Sequence, residues 1–282
     1  MSHFTVLVIG NDVEEQLQPY HEYECTGIED EYVEFVDHTD EVTQEFADLD
    51  NNEEYKTLSE YANDYYGYDV REDGRIGHLT NPNAKWDWWV VGGRWSGFFK
   101  TKPGVNSIVG EPGVFGNAAE PGHSDCIRKG NVDLEGMRFA AQREASAEYD
   151  KFEEITADLA IPPTWEQVRE IHDSIDEARR VWGEYLWVQT IRSADIGPWS
   201  ADYHEYFCVH TGGREKFIEN AVNSVAVPFA VVKNGEWFEK GSMGWFGMAA
   251  DEKDQDDWNK QVSELLDEAA DDTMLTLVDC HI

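Results

Sequence analysis

Apolar residues near both ends of this chain are grouped in short runs that predict strands. The segments Phe4–Ile9 and Thr273–Val278 are apolar and largely β-branched, as in buried strands. Val225–Val232 and Glu236–Glu239 flank Asn234-Gly235, a dipeptide favoured in two-residue hairpin turns. Because strands are predicted at both ends, we expect the N- and C-terminal strands to meet in one sheet.

A different spacing, typical of helices, occurs in the middle of the chain. Apolar residues from Leu134 to Phe152 recur on one helical face. After Pro162-Pro163, Thr164 and Gln167 form a capping-box pattern that opens a second helix reaching Trp182. A third, acidic amphipathic helix is predicted over Asp251–Ala270.

These elements predict an α+β fold with a mainly antiparallel sheet and packed helices. We expect a single domain over residues 1–282, with residues 132–182 as a helical insertion. Residues 101–130 are rich in Gly and Pro and lack periodic apolar positions, so they are predicted to be an irregular loop.

Composition indicates a folded protein outside the membrane. Hydrophobic residues make up 41% of the chain and aromatic residues 13%, which is enough for a core. No apolar run is long enough to span a bilayer, and the N-terminus lacks the basic region of a signal peptide, so a cytoplasmic location is expected. Cys25, Cys126, Cys208 and Cys280 form no CxxC motif and are predicted to be buried thiols.

The formal net charge of −36 is distributed unevenly. Residues 11–60 contain 18 acidic side chains and one basic side chain, whereas residues 61–130 contain eight of each. A body this negative should repel nucleic acid and anionic membranes, so neither is expected as a partner. The balanced window is the region where an anionic ligand would meet no net repulsion.

The segment Lys85–Lys100 lies in that window and has the composition of a pocket wall. Trp88, Trp89 and Trp95 could stack on a base, and Arg94 could hold a phosphate or carboxylate. Gly92 and Gly93 would allow a close backbone approach. Asp87 could pair with Arg94 or accept hydrogen bonds from a ligand. The alternative is a buried strand with a Gly–Gly bulge, whose tryptophans fill a core.

Two other places could contribute to a site. Trp245 lies in the glycine-rich segment Gly241–Met248, and Ile196–Trp199 is a third cluster of the same kind. At the C-terminus, strand alternation puts Asp279 and His281 on one face and Cys280 on the other. Asp279 and His281 could ligate a metal together or act as a base and its orienting group, or they could simply end a polar strand. Since no HxxxH or HExxH spacing occurs, neither a metal site nor a cofactor is predicted.

The chain contains three distinctive motifs: Met1–Gly10, Trp86–Gly97, and an ending made of Met243–Gly247 and Asp279–Ile282. These motifs resemble those of a family of bacteriophage- and prophage-encoded proteins. The resemblance extends over most of the chain. It implies a phage accessory protein that acts in the bacterial cytoplasm on host metabolism or host immunity. It implies no activity and no residue roles.

Three functions follow as hypotheses. The first is sequestration of a small anionic, nucleotide-derived immune signal by Trp88, Trp89, Trp95, Trp245 and the Gly92-Gly93-Arg94 segment. The second is an enzyme that cleaves or modifies such a nucleotide, with Asp87, Asp279 or His281 as acid or base. The third is a DNA mimic or an inhibitor that binds a host protein through its acidic surface. The sequence leaves a homo-oligomer open.

Overall fold

A computed structural model describes residues 2–49, 55–199, 201–244 and 247–282. Its internal contacts divide the chain into two compact units. The first comprises Met1–Asn131 and Pro228–Ile282, and the second comprises Val132–Val227.

The strands all lie in the first unit, within the part of the chain that the structure describes. They are β1 (His3–Ile9), β2 (Glu34–Asp37), β3 (Asp69–Val70), β4 (Ile76–Thr80), β5 (Trp88–Val91), β6 (Phe99–Lys100), β7 (His123–Ser124), β8 (Cys126–Arg128), β9 (Ala230–Lys233), β10 (Glu236–Glu239), β11 (Ser242–Met243), β12 (Ala249–Ala250) and β13 (Met274–His281).

Helices occur in both units. They are α1 (Val13–Leu17), α2 (Tyr23–Thr26), α3 (Thr39–Asp48), α4 (Leu58–Tyr61), α5 (Leu134–Thr156), α6 (Trp165–Glu170), α7 (Ile175–Glu184), α8 (Leu186–Ser193), α9 (Tyr203–Tyr206), α10 (Gly213–Asn223) and α11 (Gln255–Asp267). Short 3₁₀ helices span Gln18–Tyr20 and Lys129–Asn131, and Ala62–Tyr66 forms a π-helical turn.

The main sheet joins the two ends of the chain. Its order is β10-β9-β1-β13-β5, and β8 also pairs with β13. The pairing of β1 with β9 is parallel, whereas the other pairs of this sheet are antiparallel. The predicted α+β fold with a sheet joining the terminal strands is therefore confirmed. In the β1–β13 pair His3 lies opposite His281, so residues from the two ends of the sequence become neighbours.

The two faces of β1 and β13 carry different side chains because strand residues alternate between faces. Phe4, Val6 and Cys280 belong to an apolar cluster on one face, and Trp86 is buried in the same cluster. The opposite face carries His3, Asp279 and His281 at the strand ends. This second face is where titratable groups meet.

Two local predictions are confirmed in detail. Asn234 and Gly235 both have positive φ, 54° and 77°, as a type I′ turn between β9 and β10 requires. Thr164 and Gln167 form the capping box that opens α6. The helix predicted to run on to Trp182 is instead interrupted, and α7 begins after Ser174, whose side chain accepts a hydrogen bond from the Glu177 backbone N–H.

The segment 101–130 was expected to be irregular throughout, and this is wrong for its last part. β7 pairs with β6, and β8 pairs with β13 in the main sheet. These strands are hard to predict because they are short. In β8 only Ile127 is buried, so the strand has no repeating apolar pattern.

The second unit has its own aromatic core. Phe152 and Phe207 stack with ring centroids 4.1 Å apart, and Trp187 and Tyr203 are buried beside them. The helical segment continues to the end of α10, past the predicted limit of residue 182. The reason is that Tyr203, Phe207 and Phe217 are needed to complete the core that α5, α7 and α8 begin.

None of the helices that the structure describes has both the length and the apolar character needed to cross a membrane. The four cysteines are free thiols. Cys208 and Cys280 are buried as expected, but Cys25 is exposed and Cys126 is intermediate, so the expectation is wrong for Cys25.

Candidate active site

Two histidines meet at one end of the main sheet. His3 is the first residue of β1, and His281 is the last residue of β13. Their ring centroids are 4.9 Å apart and the ring planes are inclined by 78°. Side-chain exposures of 13% for His3 and 5% for His281 show that both rings are largely enclosed. The positions of the two imidazoles are therefore fixed by the packing at this end of the sheet.

Asp279 orients the first imidazole. Its Oδ1 lies 2.8 Å from Nδ1 of His3, and its side chain is 1% exposed. A carboxylate only accepts hydrogen bonds, so Nδ1 of His3 must carry the proton. In the neutral ring this leaves the lone pair on Nε2, the atom that can accept a proton from a substrate.

Asp87 orients the second imidazole in the same way. Nδ1 of His281 lies 2.7 Å and 2.8 Å from the two carboxylate oxygens of Asp87. The Asp87 backbone N–H donates to the His281 carbonyl at 2.9 Å, which keeps the residue next to the strand end. In both histidines the ring nitrogen bonded to the carboxylate is Nδ1, so Nε2 is the nitrogen left for contact with a ligand.

Trp88 covers the histidine pair on the same face of the sheet. It is opposite His281 in the β13–β5 register, and its ring stacks on that imidazole at 5.0 Å and 16°. The edge of the His3 ring contacts it at 5.3 Å. Because Trp88 is still 42% exposed, part of its indole is free to contact a ligand.

The Gly92-Gly93-Arg94 segment positions Asp279 from the other side. The Arg94 backbone N–H donates to Oδ2 of Asp279 at 2.9 Å. Gly93 has φ of 55°, and a Cβ there would lie 2.4 Å from the Asp279 carboxylate. The position requires glycine on both grounds, since L side chains rarely adopt this φ and no space is left for one.

Gly92 lies in the same way against a second buried carboxylate, that of Asp125. A Cβ on Gly92, whose φ is 74°, would lie 2.4 Å from Oδ2 of Asp125. Asp125 is fully buried and accepts hydrogen bonds from the backbone N–H groups of Gly97 at 2.6 Å and Gly110 at 2.8 Å. The glycine-rich segment thus wraps around two buried carboxylates.

The other residues predicted for a binding site are not all together. Trp89 points to the opposite face and packs against the apolar cluster, so it does not share a surface with Trp88. Trp95 is partly buried in the turn after Gly93. The Arg94 guanidinium lies 5.3 Å from the centre of the Phe115 ring and is not paired with Asp87. Trp245 lies outside the described residues.

Cysteine chemistry is disfavoured at this end of the sheet. Burial raises the pKa of Cys280, and its side chain faces the apolar cluster on the far side from the histidines. Cys25 is near Asp87, but a hydrogen bond with Glu22 raises the pKa of Cys25 to about 11. Little of either thiol is ionised near neutral pH, and the thiolate is the nucleophilic form.

Glu22, Cys25 and Asp87 form one group of three metal-ligand types whose ligand atoms lie within 4.8 Å of one another. In the described part of the chain this is the only such group, and it does not include His3 or His281. The histidine pair therefore offers two nitrogens without a third protein ligand, short of what zinc sites usually supply. The arrangement fits proton transfer better than metal binding.

His3 and Asp125 were not predicted as site residues. Antiparallel pairing of the two terminal strands places His3 opposite His281, and both the strands and their meeting were predictable. The pairing register of β1 with β13, which places His3 opposite His281, was not predicted. Nothing in the sequence around Asp125 distinguishes it from the other acidic residues, because its role depends on amides from Gly97 and Gly110.

Comparisons of the chain with protein-family models, with curated proteins and with solved structures found no match. The geometry of this end of the sheet is therefore the main basis for a functional proposal.

Proposed function

We propose that this protein is an enzyme that uses the His3–His281 pair for acid–base catalysis on a small nucleotide-derived molecule. The observation that carries the proposal is the presence of two adjacent imidazoles, each with Nδ1 held by its own carboxylate, which leaves Nε2 as the nitrogen for proton transfer. An imidazole oriented by a carboxylate is the usual arrangement of a general base. Two of them provide a base and an acid in one site.

The proposed reaction is cleavage of a phosphate ester. One neutral imidazole removes a proton from the attacking water or hydroxyl group through Nε2. The other, in its protonated form, donates a proton from Nε2 to the leaving oxygen. The proton removed and the proton supplied balance, and the two histidines exchange protonation states during the cycle. Proton transfer by positioned groups of this kind accelerates reactions by about 10² to 10⁴-fold per group.

The surroundings favour a substrate that has an aromatic ring and a phosphate. The half-exposed indole of Trp88 provides a stacking face beside both imidazoles. A protonated imidazole offsets the negative charge of the carboxylate bonded to it, which lowers the repulsion toward an anionic ligand. The balanced charge of residues 61–130 has the same consequence over a longer range. The resemblance to phage proteins suggests host immune messengers as substrates.

The test is a product assay with purified protein. Cyclic dinucleotides and ADP-ribose-type messengers are incubated with the protein, the protein is heat-denatured, and the small molecules are analysed. We expect one of them to be cleaved with a bell-shaped dependence on pH. His3→Gln and His281→Gln should each lower turnover by about 10² to 10⁴-fold and each remove one limb of the pH profile. His172→Gln, which removes a half-buried histidine of the second unit, is the matched control.

No altered messenger across the panel, or unchanged turnover in both histidine variants, would refute the proposal. A second function, sequestration without cleavage, is favoured by one observation, the partial exposure of Trp88 beside the site. Recovery of a messenger that is bound but chemically intact would support sequestration instead.

A further inference from the structure

A separate cavity in the second unit has the chemistry of a binding site. It encloses about 430 Å³ between the start of α6, α7, α8 and the turn before α9. Three indoles line it, those of Trp165, Trp182 and Trp199, together with two guanidinium groups, those of Arg179 and Arg192. Trp182 is buried and meets Trp165 edge-to-face at 6.2 Å, so this wall is rigid.

Arg192 is the unusual residue of this cavity. Its Nε is buried and has no hydrogen-bond partner. Across the part of the chain that the structure describes, the Arg192 side chain makes neither an ion pair nor a hydrogen bond. Its contact is with the Trp199 ring, 4.8 Å from the centre. A buried donor without an acceptor costs free energy, and the cost is larger for a charged group.

The lack of an ion pair is more informative in this chain than in most. Acidic residues outnumber basic ones by 58 to 22, so carboxylates are abundant in this chain. Arg180, twelve residues earlier, pairs with Glu184 at 2.6 Å, and Arg214 pairs with Asp150. Arg192 faces a cavity instead. A guanidinium at a cavity wall whose buried Nε has no partner indicates a binding place for an anion from outside the chain.

We propose that this cavity binds a planar aromatic anion, a ring that carries a phosphate or carboxylate group. The anionic group accepts hydrogen bonds from Arg192 and satisfies the buried Nε, since guanidinium groups bind phosphate and carboxylate through paired N–H donors. The ring stacks on Trp199, whose indole is 70% exposed and can be covered by a ligand. This inference concerns the second unit and does not depend on the proposed catalytic function.

Asp202 sets a limit on the ligand. It lines the cavity, and its Oδ1 already accepts a hydrogen bond from the His204 backbone N–H. A carboxylate at the wall disfavours a ligand with several negative charges. A monoanionic or dianionic ligand of about nucleotide size therefore fits better than a polyphosphate.

Calorimetric titration of the full chain tests the proposal with three probes, adenosine 5′-monophosphate, 4-nitrophenyl phosphate and indole-3-carboxylate. We expect saturable binding of at least one probe at concentrations below millimolar. Adenosine and inorganic phosphate are the component controls, and each should bind more weakly than the probe that combines a ring with an anion. Thermal melting with and without the probe provides a second measurement, because a ligand of the native state raises the melting temperature.

Variants then locate the binding. Arg192→Met and Trp199→Leu should each weaken binding of that probe by about tenfold or more. Trp199 is largely exposed, so its variant should fold even if Arg192→Met does not. Arg180→Gln is the matched control and should leave affinity unchanged. The proposal is overturned if all three probes fail to bind, or if Trp199→Leu and Arg192→Met bind as tightly as the unaltered protein.

Discussion

Asp125 and Asp279 are two buried carboxylates that receive backbone N–H groups from the same glycine-rich segment. Asp125 accepts from Gly97, Phe98 and Gly110 amides and from the Ser96 hydroxyl. Asp279 accepts from one amide, that of Arg94, and from the imidazole of His3.

The difference separates a structural carboxylate from one that can serve chemistry. The donors of Asp125 are amides and a hydroxyl, which do not titrate near neutral pH, so its role ends with holding the chain. Oδ1 of Asp279 accepts a hydrogen bond from Nδ1 of His3. The other nitrogen of that imidazole, Nε2, is the atom that could exchange a proton with a substrate. A carboxylate held by one fixed amide and one titratable ring is both anchored and able to orient a base.

Removing the charge of Asp125 should have the largest effect on stability. Asp125→Asn replaces an acceptor oxygen with a donor that faces other donors, so we expect a loss of about 3 kcal/mol or more in the free energy of unfolding. Urea denaturation measures the loss. Asp69→Asn, at an exposed position of β3, is the control and should change stability little. Unchanged stability of the Asp125 variant would remove the basis of the comparison.

The paired glycines sharpen the comparison, since each contacts one of the two carboxylates. Gly92→Ala and Gly93→Ala should each cost about 2–3 kcal/mol, because both have positive φ and lack space for a Cβ. Gly93→Ala displaces Asp279 and should also reduce turnover under conditions where the protein remains folded. Gly92→Ala should not reduce it. Equal turnover losses in the two variants would argue against separate roles.

Asp87→Asn tests orientation of the second imidazole with little effect on the fold. The amide can donate to Nδ1 and favour the tautomer that carries the proton on Nε2, so this histidine can no longer act as a base. We expect turnover to fall by about 10- to 100-fold, with a loss of stability below about 1 kcal/mol. A loss of turnover that only follows unfolding would indicate a structural pair like that of Asp125.

The smallest effect is expected at Trp88, to which we assign a stacking contact with the substrate and no proton transfer. Trp88→Leu should raise KM by up to about tenfold and leave kcat nearly unchanged, because stacking on one ring contributes about 1 kcal/mol or more. Trp88→Phe keeps an aromatic face and should recover part of the affinity. If kcat falls as strongly as in the histidine variants, Trp88 orients His281 rather than the substrate.

Local patterns were sufficient for much of the fold. The terminal strands, the Asn234-Gly235 turn and the Thr164 capping box each depend on a few neighbouring residues, and the structure has all of them. Patterns were insufficient where contacts between distant segments decide. The strand β8 and the extension of the helical unit to Asn223 depend on partners far away in the sequence.

By itself, the sequence determined that the ends of the chain meet in one sheet of an α+β fold. It also determined that Asp279 and His281 share a face, because alternation along a strand is a local property. Only the tertiary structure decided the pairing of these groups. Asp279 orients His3 and Asp87 orients His281, because the register of β1, β13 and β5 fixes which side chains are close. The same long-range packing places Gly92 and Gly93 directly against the two buried carboxylates, a contact that the sequence did not predict.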